Sequence, residues 1–318
     1  MTTTIVFLDR ETLSPDVTLR APAFPHQWID YPNSRADEVV ERAADADIII
    51  SNKVPVRREA LERLPRLKMI AVAATGYDMI DIACCRERGV VVANVRGYST
   101  PSVSEHTFAL ILALKRSLPA YRDAVRQHRW EASPLFTILD FPIRDLSGAR
   151  LGIIGKGALG QAVAAIGRAF GMTPLFAARK GTQGAEPPYT AWDEVLATSD
   201  IISLHCPLTP ATRGLIAMPE FRAMQRRPLL INTARGGLVD EADLVDAVEQ
   251  GLVSGVGFDV SLREPPAVDS PLMRLVDRPN CIITPHVAWA SYEAQSRLVE
   301  LLLANIEAFV AGAPINAL

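Results

Sequence analysis

The chain has 318 residues, of which 49% are hydrophobic and 22% are charged, a composition typical of a folded globular protein. At about 100 to 200 residues per domain, this length predicts two domains. With 33 Lys and Arg against 36 Asp and Glu, the net charge is −3, which excludes an overall positive field that would attract nucleic acid or an anionic membrane. We therefore expect any anionic ligand to be bound by local groups.

The sequence predicts neither a membrane segment nor a signal peptide. Its longest apolar run, residues 108–114, is far shorter than the roughly 20 residues of a membrane span. The first apolar run, residues 5–8, has no basic segment before it and is followed directly by acids, which favours a cytoplasmic protein. The cysteines show neither a C-x-x-C pair nor metal-ligand spacing, so we expect reduced thiols and no metal site. They are Cys84, Cys85, Cys206 and Cys281.

Short apolar runs recur along the chain with helical segments between them. Their apolarity is continuous rather than alternating, which predicts strands buried on both faces, as in parallel sheets. Because the runs fall into two series, we predict two α/β units. The first series comprises residues 5–8, 48–50, 69–72 and 90–92, and the second comprises residues 151–154, 175–177, 201–204, 229–231, 256–258 and 282–283.

Three further segments define the predicted organisation. Residues 102–105 form a capping-box pattern that opens a border helix carrying the apolar run of residues 108–114. Residues 119–147 are apolar with little periodicity, which favours an extended arm that contacts a second copy of the chain. Residues 291–310 predict an amphipathic final helix. We expect residues 1–98 and 288–318 to form one domain and residues 99–287 the other.

A glycine-rich loop is the sharpest local signal. Gly155, Gly157 and Gly160 stand between a predicted strand and a predicted helix. In such a loop the first glycine permits a tight turn, the second lets backbone approach a pyrophosphate, and the third lets helix pack on strand. With Ala158 and Leu159 at the start of the helix, the loop predicts a dinucleotide site.

The residues after the next strand bear on the choice of cofactor. An Asp or Glu that would bind the ribose hydroxyls of NAD is expected there, but the sequence has Ala178, Arg179 and Lys180. A carboxylate would repel a ribose 2′-phosphate, whereas Arg179 can bind one. The sequence therefore favours NADP over NAD. The alternative is that Arg179 and Lys180 form a solvated basic turn that binds no ligand.

Three polar residues follow strands of the second series: Arg235, Glu264 and His286. Ligands of open α/β sheets bind at the carboxyl ends of the strands, so we expect these loops to converge on one cleft. Individually, each residue is also compatible with a structural histidine, a solvated Glu-Pro turn or a surface charge.

Together these motifs resemble the D-isomer-specific 2-hydroxyacid dehydrogenases over nearly the whole chain. Within that family, residues 97–103 (GYSTPSV) and 284–291 (TPHVAWAS) are most similar to the glycerate dehydrogenase, or hydroxypyruvate reductase, branch. The motifs are residues 73–81 (AATGYDMID), 155–160 (GKGALG), 205–209 (HCPLT), 233–236 (TARG), 257–260 (GFDV), 263–265 (REP) and 284–286 (TPH).

The resemblance implies an α/β protein of two doubly wound parallel-sheet domains, a Rossmann cofactor domain and a flavodoxin-like substrate domain. It also implies hydride transfer between nicotinamide and the C2 carbon of a short 2-oxo acid. By resemblance His286 is the proton donor and Glu264 its partner, while Arg235 holds the substrate carboxylate and polarises the carbonyl.

Further roles are implied by the same resemblance. In the first domain, turn amides of Ala74, Thr75 and Gly76 bind the substrate carboxylate, and Trp289 favours a compact substrate. Asp259 accepts a hydrogen bond from the nicotinamide amide, unless it is an ordinary strand-end or helix-capping Asp. The remaining cofactor contacts are Cys206, Thr209, Thr233 and Ala234. His106 and His205 are not favoured as the acid.

We therefore predict a homodimeric reductase of hydroxypyruvate or glyoxylate, yielding D-glycerate or glycolate, which prefers NADPH and accepts NADH. One alternative is a dehydrogenase for another 2-oxo acid. A second is a nucleotide-sensing binding protein similar to the C-terminal-binding-protein corepressors. Formate dehydrogenases are less similar, because the position of Glu264 is typically Gln in them.

Overall fold

The computed structural model describes residues 2–182 and 184–318. The chain forms two compact units, one of Met1–Ser99 with Trp289–Leu318 and the other of Thr100–Ala288. These boundaries lie one residue from those expected from the sequence.

The first unit contains one five-stranded sheet. Its strands are β1 (Thr3–Phe7), β2 (His26–Asp30), β3 (Ile48–Ser51), β4 (Met69–Val72) and β5 (Val91–Ala93). Every neighbouring pair is parallel, and the order is β2-β1-β3-β4-β5. This is the order of flavodoxin-like folds.

Helices cover both faces of this sheet. The helices are α1 (Val39–Arg42), α2 (Arg58–Leu61), α3 (Ile82–Glu87) and, numbered by its place at the end of the chain, α10 (Tyr292–Val310), with 3-10 turns at Arg10–Thr12 and Ala36–Glu38. Alternate residues of the buried strands point to opposite faces: Ile48 packs with Leu298 of α10, whereas Ile49 packs with Leu61 of α2. Ser291 caps α10 by accepting from the Ala294 amide, so the predicted final helix is confirmed.

The second unit contains a seven-stranded sheet. Its strands are β6 (Arg150–Ile154), β7 (Thr173–Ala177), β8 (Tyr189–Thr190), β9 (Ile201–Leu204), β10 (Leu229–Asn232), β11 (Gly255–Phe258) and β12 (Cys281–Ile283). All pairs are parallel, in the order β12-β11-β10-β9-β6-β7-β8, which is the doubly wound Rossmann order with one added strand. The predicted α/β fold class with two parallel sheets is confirmed.

The helices of the second unit also lie on both faces of its sheet. One face packs on the helices that carry Ile111 and Val163, and the other on those that carry Leu196 and Leu244. These helices are α4 (Thr100–Lys115), α5 (Leu118–Arg126), α6 (Ala158–Ala169), α7 (Trp192–Thr198), α8 (Met218–Ala223) and α9 (Glu241–Glu249), with 3-10 turns at Gly236–Leu238 and Pro271–Leu275. In the described ranges 2–182 and 184–318, no helix combines the length and hydropathy needed to cross a membrane.

Two local expectations need correction. The border helix α4 already begins at Thr100, so Ser102 lies within its first turn rather than capping it; the Ser102 hydroxyl donates to the Ala288 carbonyl at 2.6 Å. The start of the predicted arm is helical, because α5 begins at Leu118 with Pro119 in its first turn, a position that needs no backbone N–H donor. After α5 the predicted arm has no helix or strand up to residue 147, and Phe136 is 91% exposed.

Candidate active site

A cavity opens in the second unit at the topological switch point of the Rossmann sheet. Strand β6 lies between β7 and β9, and the loops after β6 and β9 meet there: the His205 amide donates to the Ile154 carbonyl at 2.7 Å. The cavity has a volume of about 930 Å³ and is lined by the segments that follow β6, β7 and β9. Open α/β sheets bind ligands in this crevice, at the carboxyl ends of their strands.

The glycine-rich loop forms one wall of the cavity, and each of its glycines meets a different constraint. Gly155 has a φ of +108°, and a Cβ there would lie 2.5 Å from the His205 carbonyl oxygen. A Cβ at Gly160 would lie 2.0 Å from the Gly155 carbonyl oxygen. A Cβ at Gly157 would meet no atom of the described residues within 4 Å. Gly157 precedes helix α6, whose first-turn amides are available to an anion.

The two cations after β7 have different environments. Arg179 is exposed, and no carboxylate of residues 2–182 or 184–318 pairs with it. The Lys180 ammonium lies 2.7 Å from Glu220, whose side chain is 7% exposed and whose other oxygen accepts from the Ala217 amide. Because a buried carboxylate needs a partner, Lys180 is held by Glu220, and its added contact with the cofactor stays a prediction.

The cavity lining brings together only part of the predicted cofactor set. Burial raises the pKa of the Cys206 thiol, and Thr209 is fixed by Thr212, whose hydroxyl accepts from the Thr209 amide at 2.8 Å. Residues in the lining are Gly155, Arg179, Lys180, Cys206 and Thr209; those outside it are Gly157, Ala158, Leu159, Gly160, Thr233, Ala234 and Asp259.

An imidazole–carboxylate pair lies beyond β11 and β12. His286 Nδ1 is 2.6 Å from Glu264 Oε2, and the side chains are 23% and 34% exposed, respectively. His286 has a φ of 55°, in the left-handed region that few non-glycine residues adopt. A charged acceptor at Nδ1 orients the ring and leaves Nε2 for a ligand.

Close backbone packing places the loop of Arg235 against the loop of Glu264. A Cβ at Gly236 would lie 2.0 Å from the carbonyl carbon of Ser261, so only glycine allows this approach. Sequence reasoning singled out both loops by their position after strands but did not identify Gly236 as the point where they meet.

A buried amide shapes the turn that carries Arg235. Asn232, fully buried at the end of β10, donates to the Arg235 carbonyl at 2.9 Å and accepts from the Ala234 amide at 3.1 Å. Thr233 is also buried, and its hydroxyl lies 3.0 Å from that of Thr107 on α4. Thr233 and Ala234 therefore contribute to the shape of this turn.

Asp259 anchors the segment that carries His286. Its Oδ1 accepts from the Thr284 hydroxyl at 2.6 Å and the Val287 amide at 2.9 Å, and its Oδ2 accepts from the Ala288 amide at 2.8 Å. The Asp259 side chain is 0% exposed. The geometry therefore makes Asp259 a positioning residue for this segment, and its contact with a nicotinamide amide stays a prediction.

Sequence reasoning missed a second anchoring carboxylate, Glu241. This buried side chain accepts from the Leu262 amide at 2.6 Å and from the Ser270 hydroxyl at 3.0 Å, and so fixes the loop that contains Glu264. Its only sequence signal is a position at the start of α9 next to the capping Asp240, which is where acids ordinarily occur.

The two alternative histidines have structural roles. His106 Nε2 lies 3.1 Å from the Thr284 hydroxyl. His205 is buried with Nε2 2.8 Å from the Ser203 hydroxyl, and burial lowers its pKa to about 4. His205 is therefore neutral near pH 7 and holds no proton to donate from a charged ring.

The predicted carboxylate-binding turn lies in the first unit, after β4. The Thr75 hydroxyl donates to the Val95 carbonyl at 2.8 Å, and Asn94 donates to the Thr75 carbonyl at 2.6 Å. Thr75 is exposed, while Ala74 is buried. In the same unit, the Trp289 ring packs edge-on against Tyr98 with centroids 6.2 Å apart.

Asp9 is a further residue of the first unit that sequence reasoning missed. Its carboxylate accepts from the amides of Asn52, Lys53 and Val54, at 2.6 to 3.3 Å. Burial raises its pKa, while these hydrogen bonds oppose the shift. Asp9 therefore connects the loops that follow β1 and β3.

Comparison with known proteins decides the family. The model of the family described as D-isomer specific 2-hydroxyacid dehydrogenase, NAD binding domain, matches residues 108–288. The chain is 46% identical over 317 residues to a glycerate dehydrogenase of Methylorubrum extorquens, covering 99% of both proteins. The chain belongs to the D-isomer-specific 2-hydroxyacid dehydrogenases.

Two solved structures that are similar to this dehydrogenase belong to enzymes that use different cofactors. A D-lactate dehydrogenase from Aquifex aeolicus complexed with NAD and lactic acid is 30% identical, with a TM-score of 0.84 and coverage of 98% of this chain and 96% of that one. An NADPH-dependent glyoxylate/hydroxypyruvate reductase from Sinorhizobium meliloti is 27% identical, with a TM-score of 0.83 and coverage of 99% and 97%.

The second unit of this dehydrogenase fits a nicotinamide dinucleotide. The open side of Gly157, the helix start behind it and a cavity of about 930 Å³ provide room and hydrogen-bond donors for a dinucleotide. The protein is an oxidoreductase that transfers a hydride between a nicotinamide cofactor and the C2 carbon of a small 2-oxo or 2-hydroxy acid, so the predicted enzyme class is confirmed over a corepressor-like binding protein.

Proposed function

We propose that this dehydrogenase reduces hydroxypyruvate to D-glycerate and glyoxylate to glycolate, and that it prefers NADPH to NADH. The contact between His286 Nδ1 and Glu264 Oε2, 2.6 Å long and partly exposed, is the observation that carries the acid–base chemistry. The 46% identity to a glycerate dehydrogenase supports the substrate class.

His286 supplies the proton of the reduction. A bound nicotinamide supplies the hydride to C2, and negative charge develops on the oxygen attached to that carbon. Since Glu264 engages Nδ1, the Nε2–H of His286 donates to this oxygen. Glu264 orients the ring through its contact with Nδ1.

Arg235 and the turn of residues 74–76 are the proposed carboxylate-binding groups. Arg235 is half-buried and always charged, so it can pair with the substrate carboxylate and polarise the carbonyl. Amides of Ala74, Thr75 and Gly76 add donors from the first unit. The short side chains of this turn, together with Trp289, favour a compact 2-oxo acid.

The proposed cofactor assignment places the dinucleotide on the second unit. Arg179 binds the ribose 2′-phosphate, and Ala178 leaves the adjacent position without a repelling carboxylate. The remaining predicted contacts come from Cys206, Thr209, Thr233 and Ala234. The cysteines are free thiols, which supports a cytoplasmic location.

The protein is proposed to act as a homodimer. The support is the apolar segment after α5, where Trp130, Phe136 and Leu139 are all exposed. Exposed apolar clusters of this kind are typical of interfaces between subunits.

The test is a panel of 2-oxo acids assayed with NADPH and NADH separately. We expect the highest kcat/KM with hydroxypyruvate or glyoxylate and at least a tenfold advantage for NADPH. Pyruvate and branched-chain 2-oxo acids serve as controls for size. A higher kcat/KM for a branched-chain acid contradicts the substrate assignment, and a higher kcat/KM with NADH contradicts the cofactor assignment.

A further inference from the structure

Lys156, the second residue of the glycine-rich loop, has no role in the assignments above, although it lines the same cavity as Arg179. Its ammonium lies 5.9 Å from the centroid of the Phe176 ring and 5.6 Å from that of Tyr189. These two rings are register partners on β7 and β8. Lysine over an aromatic face at this distance is attracted by the ring, which restricts the position of its charge.

The position of these rings directs Lys156 toward the end of β7. Phe176 is three residues before Arg179, on the strand beside the one that leads into the glycine-rich loop. The first turn of α6, where a pyrophosphate is expected, begins instead at Ala158. The charge of Lys156 is therefore held on the side of the cavity where β7 ends.

The charges in the cavity lining leave two cations available for a ligand. Among the described residues of the lining, Lys156, Arg179 and Lys180 are positive and Glu186 is negative. Lys180 is paired with Glu220 at 2.7 Å. Neither Lys156 nor Arg179 has a carboxylate within ion-pair distance in the part of the chain that the structure describes.

We infer that Lys156, together with Arg179, binds the 2′-phosphate of NADPH, and that Lys180 supports the site only through Glu220. This inference rests on the proposed preference for NADPH. A phosphate monoester carries a charge of about −1.5 to −2 near pH 7, so it can engage two cations. A hydrogen bond between charged groups changes binding by roughly 10- to 150-fold, so loss of Lys156 produces a measurable selective effect.

The experiment measures equilibrium binding by calorimetry to the ligand-free protein, and therefore does not depend on turnover. The probes are two pairs that differ only by the 2′-phosphate: NADPH with NADH, and adenosine 2′,5′-bisphosphate with AMP. We expect Lys156→Met to raise the dissociation constants for NADPH and adenosine 2′,5′-bisphosphate by roughly 10- to 100-fold. The dissociation constants for NADH and AMP should change by less than about threefold. Lys156→Arg keeps the charge and should retain the selectivity.

Lys180→Met is the comparison variant: it removes a cation of the same type from the same cavity, and it should change the binding of NADPH and NADH by the same factor. An equal loss of affinity for NADPH and NADH in Lys156→Met would place this ammonium on the pyrophosphate and overturn the inference. So would a selective loss of NADPH in Lys180→Met but not in Lys156→Met. A wild-type protein that binds AMP as tightly as adenosine 2′,5′-bisphosphate would instead overturn the proposed cofactor preference.

Discussion

At the scale of single residues, His286 combines two constraints. Its backbone adopts a φ of 55°, and its ring is bound to Glu264. The unfavourable backbone conformation is held by Asp259, which accepts from the neighbouring amides of Val287 and Ala288. A strained residue with its side chain aimed by a carboxylate is typical of an active site.

Substitution of this histidine tests the acid role. We expect His286→Ala to lower kcat for 2-oxo acid reduction by roughly 100-fold or more, the effect of losing a positioned general acid. The dissociation constant for NADPH, measured by fluorescence titration, should stay within about threefold. His26→Ala, a change of the same type on β2, is the control. A His286→Ala variant with near-normal kcat would contradict the assignment.

His205 predicts a dependence of stability on pH. Its folded pKa of about 4 lies below the ordinary value of 6.5, so the unfolded state takes up the proton first as the pH falls. The contribution of neutral His205 to the free energy of unfolding is therefore complete above pH 6.5, and it is lost progressively as the pH falls toward 4. Between pH 7.5 and 5.0 the free energy of unfolding should fall by about 2 kcal/mol from this residue.

The measurement is urea denaturation of the wild type and of His205→Gln at both pH values. Glutamine keeps an amide near the Ser203 hydroxyl but does not titrate. The variant should therefore show a decrease in the free energy of unfolding that is smaller by about 2 kcal/mol. An equal decrease in both proteins would mean that His205 does not remain neutral when folded.

At the scale of elements, the three glycines of the β6–α6 connection fall into two groups. Two of them are required by the fold itself, and the third faces open space. Gly155 and Gly160 are constrained by the protein itself, since a Cβ at either would meet backbone within 2.5 Å. A Cβ at Gly157 would meet no atom of the described residues within 4 Å. If the loop binds a dinucleotide as proposed, glycine at this open position lets the backbone approach the pyrophosphate.

Two alanine substitutions distinguish these functions. Gly157→Ala should leave the unfolding temperature within about 2 °C of the wild type and weaken NADPH and NADH alike by roughly tenfold or more, because its Cβ occupies space needed by the pyrophosphate. Gly155→Ala should lower the unfolding temperature markedly, because alanine is strained at a φ of +108° and meets His205. Calorimetry and thermal unfolding are the measurements. Unchanged cofactor binding in Gly157→Ala would show that the loop does not bind the dinucleotide backbone.

At the scale of the whole molecule, the chain divides its two parallel sheets between two units, of which the first is discontinuous in sequence and the second is continuous. The first unit is completed by α10, whose Leu298 and Leu302 are fully buried against it. The second unit additionally carries the exposed apolar segment around Phe136. The first feature completes a core, whereas the second leaves a surface that a partner would cover.

The oligomeric state tests this surface. Sedimentation velocity should give about twice the mass of one chain for the wild type, and Phe136→Glu should shift the protein to the monomer, because a carboxylate cannot be buried in an apolar interface without a partner. Val276→Glu, at another exposed apolar position of the second unit, should remain a dimer. A monomeric wild type would contradict the proposed dimer, and a dimeric Phe136→Glu would place its interface elsewhere.

Much of the architecture was readable from local patterns. The strands Ile48–Ser51 and Leu229–Asn232 were predicted at residues 48–50 and 229–231, because continuous apolar runs are typical of parallel strands buried on both faces. Strand β2 was not predicted, because its sequence, HQWID, lies at the edge of the sheet and is only partly buried. Helix α5 was missed because it starts with Leu118 and Pro119, and because its buried residues, Ala120 and Ala124, are small alanines.

The sequence by itself determined the two α/β sheets, the glycine-rich loop, the absence of an acid after β7 and the types of the three polar residues that follow later strands. Those features depend on residues close together in the chain. Only the tertiary structure decided that Glu220 holds Lys180, that Asp259 anchors the turn of His286, and that Lys156 faces Phe176. These contacts join residues between 20 and 40 positions apart, at distances set by sheet register and loop packing, and no local pattern encodes such distances.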